Sequence, residues 1–146
     1  MNRPASRSLR IALGIVALFG SFLVSMRGDA TDAHWMPAGW KDVDTLEMLT
    51  VGAEEGEHWF KLWLVVIDDD VYVRLGTKAT ERVRHNTTAP FVGIRIGGQQ
   101  FDRVKLVDAP DFTGPVATAM AEKYWSDVLV RLVSHPMTAR LEPAAE

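Results

Sequence analysis

The longest uncharged apolar stretch of the chain lies near its N-terminus. It covers residues 11–26, and Arg3, Arg7 and Arg10 precede it. A basic segment followed by an apolar run is typical of a signal peptide, whereas a comfortable membrane span needs about 20 apolar residues. Basic residues upstream favour export of the chain that follows. We therefore expect an apolar helix within residues 1–30, acting as a signal peptide or an inner-membrane anchor, and a periplasmic or otherwise extracytoplasmic location.

After a stretch at 31–45, which we interpret as a linker that becomes ordered near Trp35 and Trp40, short segments rich in apolar, aromatic and β-branched residues follow. Such residues favour strands, in which successive side chains point to opposite faces. The predicted strands are 46–51, 57–67, 71–75, 91–96, 99–107 and 137–141. The first of these segments also allows a helical end that runs into a strand. Gly52–Gly56, Asp68–Asp70 and Gly97-Gly98 supply turn residues between strands.

Two segments have helical spacing. Thr77–Asn86 is polar at this spacing, and Thr77 is placed to cap its N-terminus. Val116–Val133 repeats apolar residues every three or four positions, follows Pro115 at a first helical position, and ends at His135-Pro136. We therefore predict one short and one longer helix.

The order of these elements predicts the fold class. Five or six short strands joined mostly by hairpins form an antiparallel sheet, and Gly-rich turns favour its closure into a small barrel. We expect a mainly β (α+β) split barrel over residues 46–143, followed by a tail at 144–146. The roughly 115–120 residues behind the leader are enough for one core.

Composition excludes several kinds of chemistry. The chain of 146 residues has no cysteine, which rules out disulfides, thiol nucleophiles, thiolate metal sites and a cysteine-linked lipid anchor. The four histidines lack metal-like spacing, and Asp68–Asp70 lacks the alternation of a calcium loop. No serine stands in a nucleophile elbow. We therefore expect neither a metal site nor a hydrolase.

Charge is distributed unevenly along the chain. From Asp29 onward there are 12 Lys and Arg residues against 19 Asp and Glu residues, a net charge of −7. An acidic body argues against non-specific binding to nucleic acid. Between Arg74 and Lys105 the balance reverses to +5. A local basic segment of this kind suits a compact anion.

The junction of the third strand and the short helix is the strongest candidate for a binding site. Arg74 ends the strand, Gly76 turns the chain, and Thr77 and Lys78 open the helix. Together they offer a guanidinium, a hydroxyl, an ammonium and unpaired helix N–H groups, all of which a phosphate accepts. The alternative is that these are solvated helix charges with Glu81 as a local partner.

A series of short motifs runs through the predicted barrel. They are LWLVVIDDD, VYVRLGTK, ERVRHN, FVGIRIGG, QQFDRVKLV, EKYW and TARLEP. In this order, over Leu46–Pro143, they resemble the pyridoxamine 5′-phosphate oxidase-like split β-barrel superfamily. The similarity is greatest to its small flavin- or deazaflavin-binding and uncharacterised members.

The resemblance implies an FMN or deazaflavin cofactor and a set of residues that hold it. The residues that match phosphate-contacting positions are Arg74, Thr77 and Lys78, with Arg84 as a further donor. The strand residues that match positions beside the isoalloxazine ring are Trp63, Leu64 and Val65. Lys61 is the only Lys or Arg on that strand.

The resemblance also implies an activity and an assembly. We expect a protein that binds a small-molecule cofactor and leave open whether it is an oxidoreductase, in which case the cofactor carries the electrons and no side chain acts as a nucleophile. We expect a homodimer with the cofactor at its interface. Two other functions stay open: a non-catalytic envelope module that binds a phosphorylated small molecule or haem, and a ligand-free barrel with a structural or interaction role.

Overall fold

The computed structural model describes residues 33–124 and 134–144. The predicted leader at 1–30 and the later part of the predicted helix at 116–133 lie outside these residues. The strands are β1 (Thr45–Gly52), β2 (Gly56–Ile67), β3 (Asp70–Leu75), β4 (Phe91–Ile96), β5 (Gln99–Asp108) and β6 (Met137–Pro143). The helices are α1 (Thr77–Arg84), α2 (Thr113–Lys123) and two 3-10 helices at Pro37–Trp40 and Pro110–Phe112.

The six strands form a closed antiparallel barrel. Their order around the barrel is β1-β2-β3-β6-β5-β4, and β4 pairs with β1 to close it. Neighbours in sequence form the hairpins β1–β2, β2–β3 and β4–β5, whereas β6 inserts between β3 and β5. The predicted antiparallel six-stranded barrel with two helices is confirmed.

Two tight turns keep these hairpins in register. Asp68 and Asp69 have φ values of 49° and 63° between β2 and β3. Gly97 and Gly98 have φ values of 56° and 78° between β4 and β5. Positive φ at both central positions of a turn matches the right-handed twist of the strands. Glycine adopts positive φ most readily, and residues with a short polar side chain, such as Asp, come next. The loop between β2 and β3 has only two residues because Asp70 already belongs to β3.

The barrel interior is filled by an aliphatic core, against which a cluster of aromatic rings packs. Met48, Leu64 and Ile94 are fully buried there. Trp40 joins this core at 5% exposure, and its ring makes edge-to-face contacts with those of Trp35 and Phe101. The later part of the segment predicted as a linker therefore contributes to the core.

A second cluster lies on the outer surface of β2 and β3. Val65 and Tyr72 point away from the interior, and α2 covers them with Val116, Met120 and Tyr124. Alternation along the strands explains this arrangement, because neighbours such as Leu64 and Val65 face opposite sides. The interior core thus buries the inner face of β2 and β3, and α2 buries part of their outer face.

The helix ends differ from those predicted. Gly76, not Thr77, occupies the N-cap position of α1, and no side chain caps it. The hydroxyl of Thr80 instead donates a hydrogen bond to the carbonyl of Leu75 at 3.2 Å. In α2 the first helical residue is Thr113, so Pro115 occupies the third position, where its missing N–H is also not needed.

The helices within residues 33–124 and 134–144 are all short. None of them is long and apolar enough to cross a membrane.

Candidate functional site

Strand β2 is long enough to have different neighbours along its length. Its residues from Gly56 to Trp63 pair with β1, whereas those from Leu64 to Ile67 pair with β3. β3 ends at Leu75, where the chain turns into α1. The first half of β2 therefore extends past the end of β3, and the Gly76 corner lies beside it.

Two depressions lie along this part of β2. The first has a volume of about 230 Å³ and is lined by Lys61, Leu62, Trp63, Arg74, Gly76, Met120 and His135. The second has a volume of about 560 Å³ and is lined by His58, Phe60, Lys61, Leu62, Gly76, Thr77, Lys78, Ala79 and Arg82. They share Lys61, Leu62 and Gly76, so we treat them as one feature, the β2–α1 cleft.

The β2–α1 cleft is basic and partly apolar. Its four cationic residues come from three elements: Lys61, Arg74, Lys78 and Arg82. None of its described lining residues is acidic. Phe60, Leu62 and Met120 supply apolar surface in the same walls. The lining therefore suits a ligand that combines an anionic group with an apolar part.

Arg74 is held at the bottom of β3. Its Nη2 lies 3.2 Å from Nδ1 of His135. This contact joins the end of β3 to the segment that precedes β6. A guanidinium can only donate, so His135 accepts through Nδ1 and carries its proton on Nε2 in this contact. The contact fixes both side chains at the edge of the cleft.

Arg82 has a partner in another element. Its Nη1 lies 2.5 Å from Oε1 of Glu55, in the turn between β1 and β2, and Nδ1 of His58 lies 3.6 Å from the same oxygen. The hydrogen bond from Arg82 holds the pKa of the Glu55 carboxyl below its ordinary value, with a smaller contribution from His58. The partner of this helix cation is thus Glu55, not the neighbouring Glu81 predicted as a local partner.

The structure brings together four of the seven residues predicted for the site. Trp63, Arg74, Thr77 and Lys78 line the cleft. Lys78 and Thr77 are exposed in the first turn of α1, where helix N–H groups have no intrahelical partner.

The other three predicted residues lie elsewhere. Leu64 is fully buried in the barrel interior, and Val65 is 3% exposed beneath α2. Arg84 is exposed at the far end of α1, two turns from Thr77, and lines neither depression of the cleft. Strand alternation explains the first two positions, and the length of α1 explains the third.

Several lining residues were not predicted. Lys61 was noted only as the single Lys or Arg of its strand, and His135 only as a helix-ending residue. Their place in the cleft depends on contacts far apart in sequence, such as the pairing of Arg74 with Thr138 that brings β6 beside β3. The one sequence signal for Lys61 is that it shares the outward face of β2 with Trp63.

Lys123 and Tyr124, at the end of α2 and directly after it, form the wall behind Trp63. The hydroxyl oxygen of Tyr124 lies 2.6 Å from the carbonyl oxygen of Asp44 and 2.7 Å from that of Leu64, either of which can accept its single proton, and it accepts the Leu64 N–H at 3.3 Å. Burial raises the pKa of Tyr124 to about 12. Nζ of Lys123 donates to the carbonyls of Val43 at 2.5 Å and Leu64 at 3.1 Å. Burial lowers the pKa of Lys123.

A second groove lies on the outer face of β1, β2, β4 and β5, which we call the outer sheet face. It has a volume of about 560 Å³ and is lined by Leu49, Val51, Glu57, Trp59, Thr88, Phe91, Val92, Gly93, Arg95, Gln100, Asp102 and Arg103. Two guanidiniums lie over aromatic rings, with Cζ of Arg95 3.8 Å from the ring centroid of Trp59 and Cζ of Arg103 3.9 Å from that of Phe91. Acidic and basic residues both border this apolar surface.

Within residues 33–124 and 134–144, no group of three or more His, Asp or Glu side chains is placed to hold a metal ion.

The fold is similar to solved structures at low sequence identity. HutZ, the haem storage protein from Vibrio cholerae, is 17% identical with a TM-score of 0.52, over 75% of this chain and 88% of that one. A protein described as a domain-swapped dimer is 12% identical with a TM-score of 0.52, over 69% of this chain and 81% of that one. The conserved hypothetical protein Rv2991 from Mycobacterium tuberculosis is 16% identical with a TM-score of 0.51, over 82% and 84%.

No protein-family model matches this chain, and no curated protein matches it. At 12–17% identity the structural similarity shows the fold alone. That fold is a split barrel, in agreement with the closed six-stranded barrel of this chain.

Proposed function

We propose that this protein binds a flavin-type cofactor, FMN or deazaflavin, in the β2–α1 cleft. The observation that carries the proposal is the convergence of Lys61, Arg74 and Lys78 with the N-terminus of α1 and an apolar wall. A fourth cation of the lining, Arg82, is paired with Glu55 beside the cleft. A cofactor of this type has the same two parts, an anionic phosphate and a large planar ring.

Each part of the cleft has a distinct role in this proposal. Lys61, Arg74 and Lys78 bind the phosphate as charge-assisted donors, and the hydroxyl of Thr77 adds a neutral donor. Gly76 leaves the backbone at the start of α1 accessible, because it carries no side chain over the first N–H groups. Trp63 contacts the ring.

The chemistry of an enzyme of this kind comes from its cofactor. A flavin supplies hydride or electron transfer when bound, while the protein binds it, orients it and sets its electrostatic surroundings. Cationic residues near the cofactor also attract anionic substrates to the cleft. We therefore propose oxidoreductase activity without a nucleophilic side chain.

The proposed assembly is a homodimer formed through the outer sheet face. Leu49, Trp59 and Phe91 give this face an apolar centre, and its border carries both Arg103 and Asp102. In a twofold contact each patch meets the same patch of the second copy and must be complementary to itself. A surface that carries both positive and negative charges can meet this requirement. Lys61 lines the cleft and also a neighbouring depression that shares Arg95 and Gln100 with the outer sheet face, so a second copy on that face would lie near the cofactor.

We further propose that the barrel functions outside the cytoplasm, held at the inner membrane if the leader is kept. This proposal rests on the basic and apolar pattern of residues 1–30.

A second candidate function is non-catalytic binding of haem or a phosphorylated small molecule. HutZ, which has a similar fold, is a haem storage protein. In this chain the carboxylates of haem would meet the same cations, and His58 and His135 are imidazoles that line the cleft. A structural barrel without a ligand is the remaining outcome.

An absorption spectrum of the purified full-length protein separates these functions. We expect flavin bands, either as purified or after FMN or deazaflavin is added and the excess removed. A Soret band with no flavin uptake would favour haem storage. A colourless protein that takes up none of these ligands would overturn the cofactor proposal.

A further inference from the structure

The wall of the β2–α1 cleft contains a preformed pair of stacked aromatic rings. Trp63 lines the cleft, and its ring is nearly parallel to that of Tyr124, with 4.6 Å between the centroids and 9° between the planes. Tyr124 thus covers one face of the indole. Stacked pairs of this geometry are favourable in themselves, so the arrangement does not need a ligand to form.

Tyr124 is fixed more firmly than a ring held by packing alone. It is 8% exposed, and its hydroxyl lies within hydrogen-bond distance of Asp44 and of both backbone groups of Leu64. The adjacent Lys123 binds the Leu64 carbonyl as well. Lys123 and Tyr124, at the end of α2 and directly after it, are thereby attached to the segment before β1 and to β2 behind Trp63. These contacts restrict the indole to an orientation parallel to the phenol ring.

The charged part of the cleft lies next to this pair. Lys61 and Trp63 are two residues apart on β2 and share its outer face. Arg74 lines the same depression from β3. An anion held by Lys61 and Arg74 therefore places whatever is attached to it close to the indole.

We propose that Trp63, positioned by Tyr124, is the stacking surface for the ligand's ring, so that the cleft selects anions bearing a planar aromatic ring over anions without one. This inference rests on the proposed function and deepens it. It assigns the preference for an aromatic ring to Trp63, and the positioning of Trp63 to Tyr124. Tyr124 does not contact the ligand and acts as a positioning residue.

The test compares two ligands that share a phosphate on a five-carbon chain. FMN carries an aromatic ring, and ribose 5-phosphate does not. Stacking of a ring on an aromatic side chain corresponds to roughly a 5- to 150-fold gain in affinity. We expect the full-length protein to bind FMN more tightly than ribose 5-phosphate by a factor in this range in isothermal titration calorimetry, and to quench FMN fluorescence.

Four variants separate the roles of the two rings. Trp63→Leu is expected to abolish both the preference for FMN and the quenching, while the affinity for ribose 5-phosphate stays the same. Tyr124→Leu is expected to reduce the preference, because the indole loses its support. Tyr124→Phe keeps the ring and is expected to retain most of the preference. Trp63→Phe, which preserves an aromatic ring, is expected to give an intermediate preference if Trp63→Leu does not fold.

The outcomes distinguish this inference from the proposed function. Equal affinity of the wild-type protein for both ligands, or an unchanged preference and quenching in Trp63→Leu or Trp63→Phe, would overturn the stacking role and leave the phosphate site standing. A wild-type protein that binds neither ligand would overturn both.

Discussion

Arg74 and Lys78 line the two depressions of the β2–α1 cleft on either side of Gly76. They differ in how they are held, because Arg74 contacts His135, whereas Lys78 is an exposed residue in the first turn of α1. A planar guanidinium fixed by a neighbour loses less entropy on binding an oxyanion than a flexible ammonium. Arg74 is therefore expected to contribute geometry as well as charge.

The first prediction concerns these two cations. Arg74→Ala and Lys78→Ala are each expected to weaken FMN binding about 10- to 100-fold, since a hydrogen bond to a charged group contributes about 1.5–3 kcal/mol. Calorimetric titration of FMN measures the effect. Lys105→Ala, which removes an exposed charge on β5, is the matched control. Equal losses in all three variants would indicate a general electrostatic effect and not a site.

Arg84 provides a separate comparison, because the sequence resemblance places it near the phosphate whereas the structure places it at the far end of α1. Arg84→Ala is expected to behave like Lys105→Ala. A loss as large as that of Lys78→Ala would show that Arg84 also contacts the phosphate.

The second prediction concerns the pH dependence of stability. Burial raises the pKa of Tyr124 to about 12, above the ordinary value of 10.0. The protonated phenol therefore favours the folded state fully below about pH 10, and this contribution is lost as the pH rises toward 12. Urea unfolding at pH 8 and pH 11 is expected to show a larger alkaline loss for the wild-type protein than for Tyr124→Phe. Identical losses would contradict the buried, bonded hydroxyl.

At the scale of elements, the sequence predicts best where the pattern is local. A run of aromatic and β-branched residues predicts β2 to within one residue, and the paired glycines predict the β4–β5 turn at Gly97-Gly98. The pattern predicts less well where tertiary contacts decide. Trp40 enters the core from a segment rich in turn residues, and the cleft forms only because β6 inserts beside β3.

The third prediction concerns the segment before β1. Trp40→Ala is expected to lower the free energy of unfolding by about 3–5 kcal/mol, because a large buried ring is removed from the barrel core. Met36→Ala, at a side chain that is 62% exposed, is the control and is expected to change it little. Chemical denaturation measures both. Similar small effects would show that the segment is a linker, as the sequence suggested.

The fourth prediction concerns the start of α1. Thr80→Val removes a buried hydroxyl that donates to Leu75, and we expect it to cost about 1 kcal/mol or somewhat more. Thr77→Val alters an exposed side chain that makes no capping hydrogen bond, and we expect little change in the free energy of unfolding. A larger loss of unfolding free energy for Thr77→Val than for Thr80→Val would indicate that Thr77 caps α1.

At the scale of the whole molecule, the barrel presents two unlike surfaces. The cleft has cations without acids in its described lining, which suits a small anion. The outer sheet face has cations and acids around an apolar centre, which suits another protein surface. The balanced charges of the outer sheet face are typical of an assembly surface, whereas the excess of positive charge in the cleft is typical of a site for an anionic ligand.

The last prediction follows from the outer sheet face. We expect the full-length protein, solubilised if the leader requires it, to sediment as a dimer, and Trp59→Glu to shift it toward monomer. The glutamate removes the ring that supports Arg95 and places a charge at the apolar centre of each copy, so a twofold contact is penalised twice. Met36→Glu adds the same charge elsewhere on the surface and is expected to leave the dimer intact. A wild-type monomer, or a Trp59→Glu dimer of unchanged affinity, would exclude this face as the interface. Because Lys61 lies between this face and the cleft, weaker FMN binding by the monomeric variant would additionally place the second copy beside the cofactor.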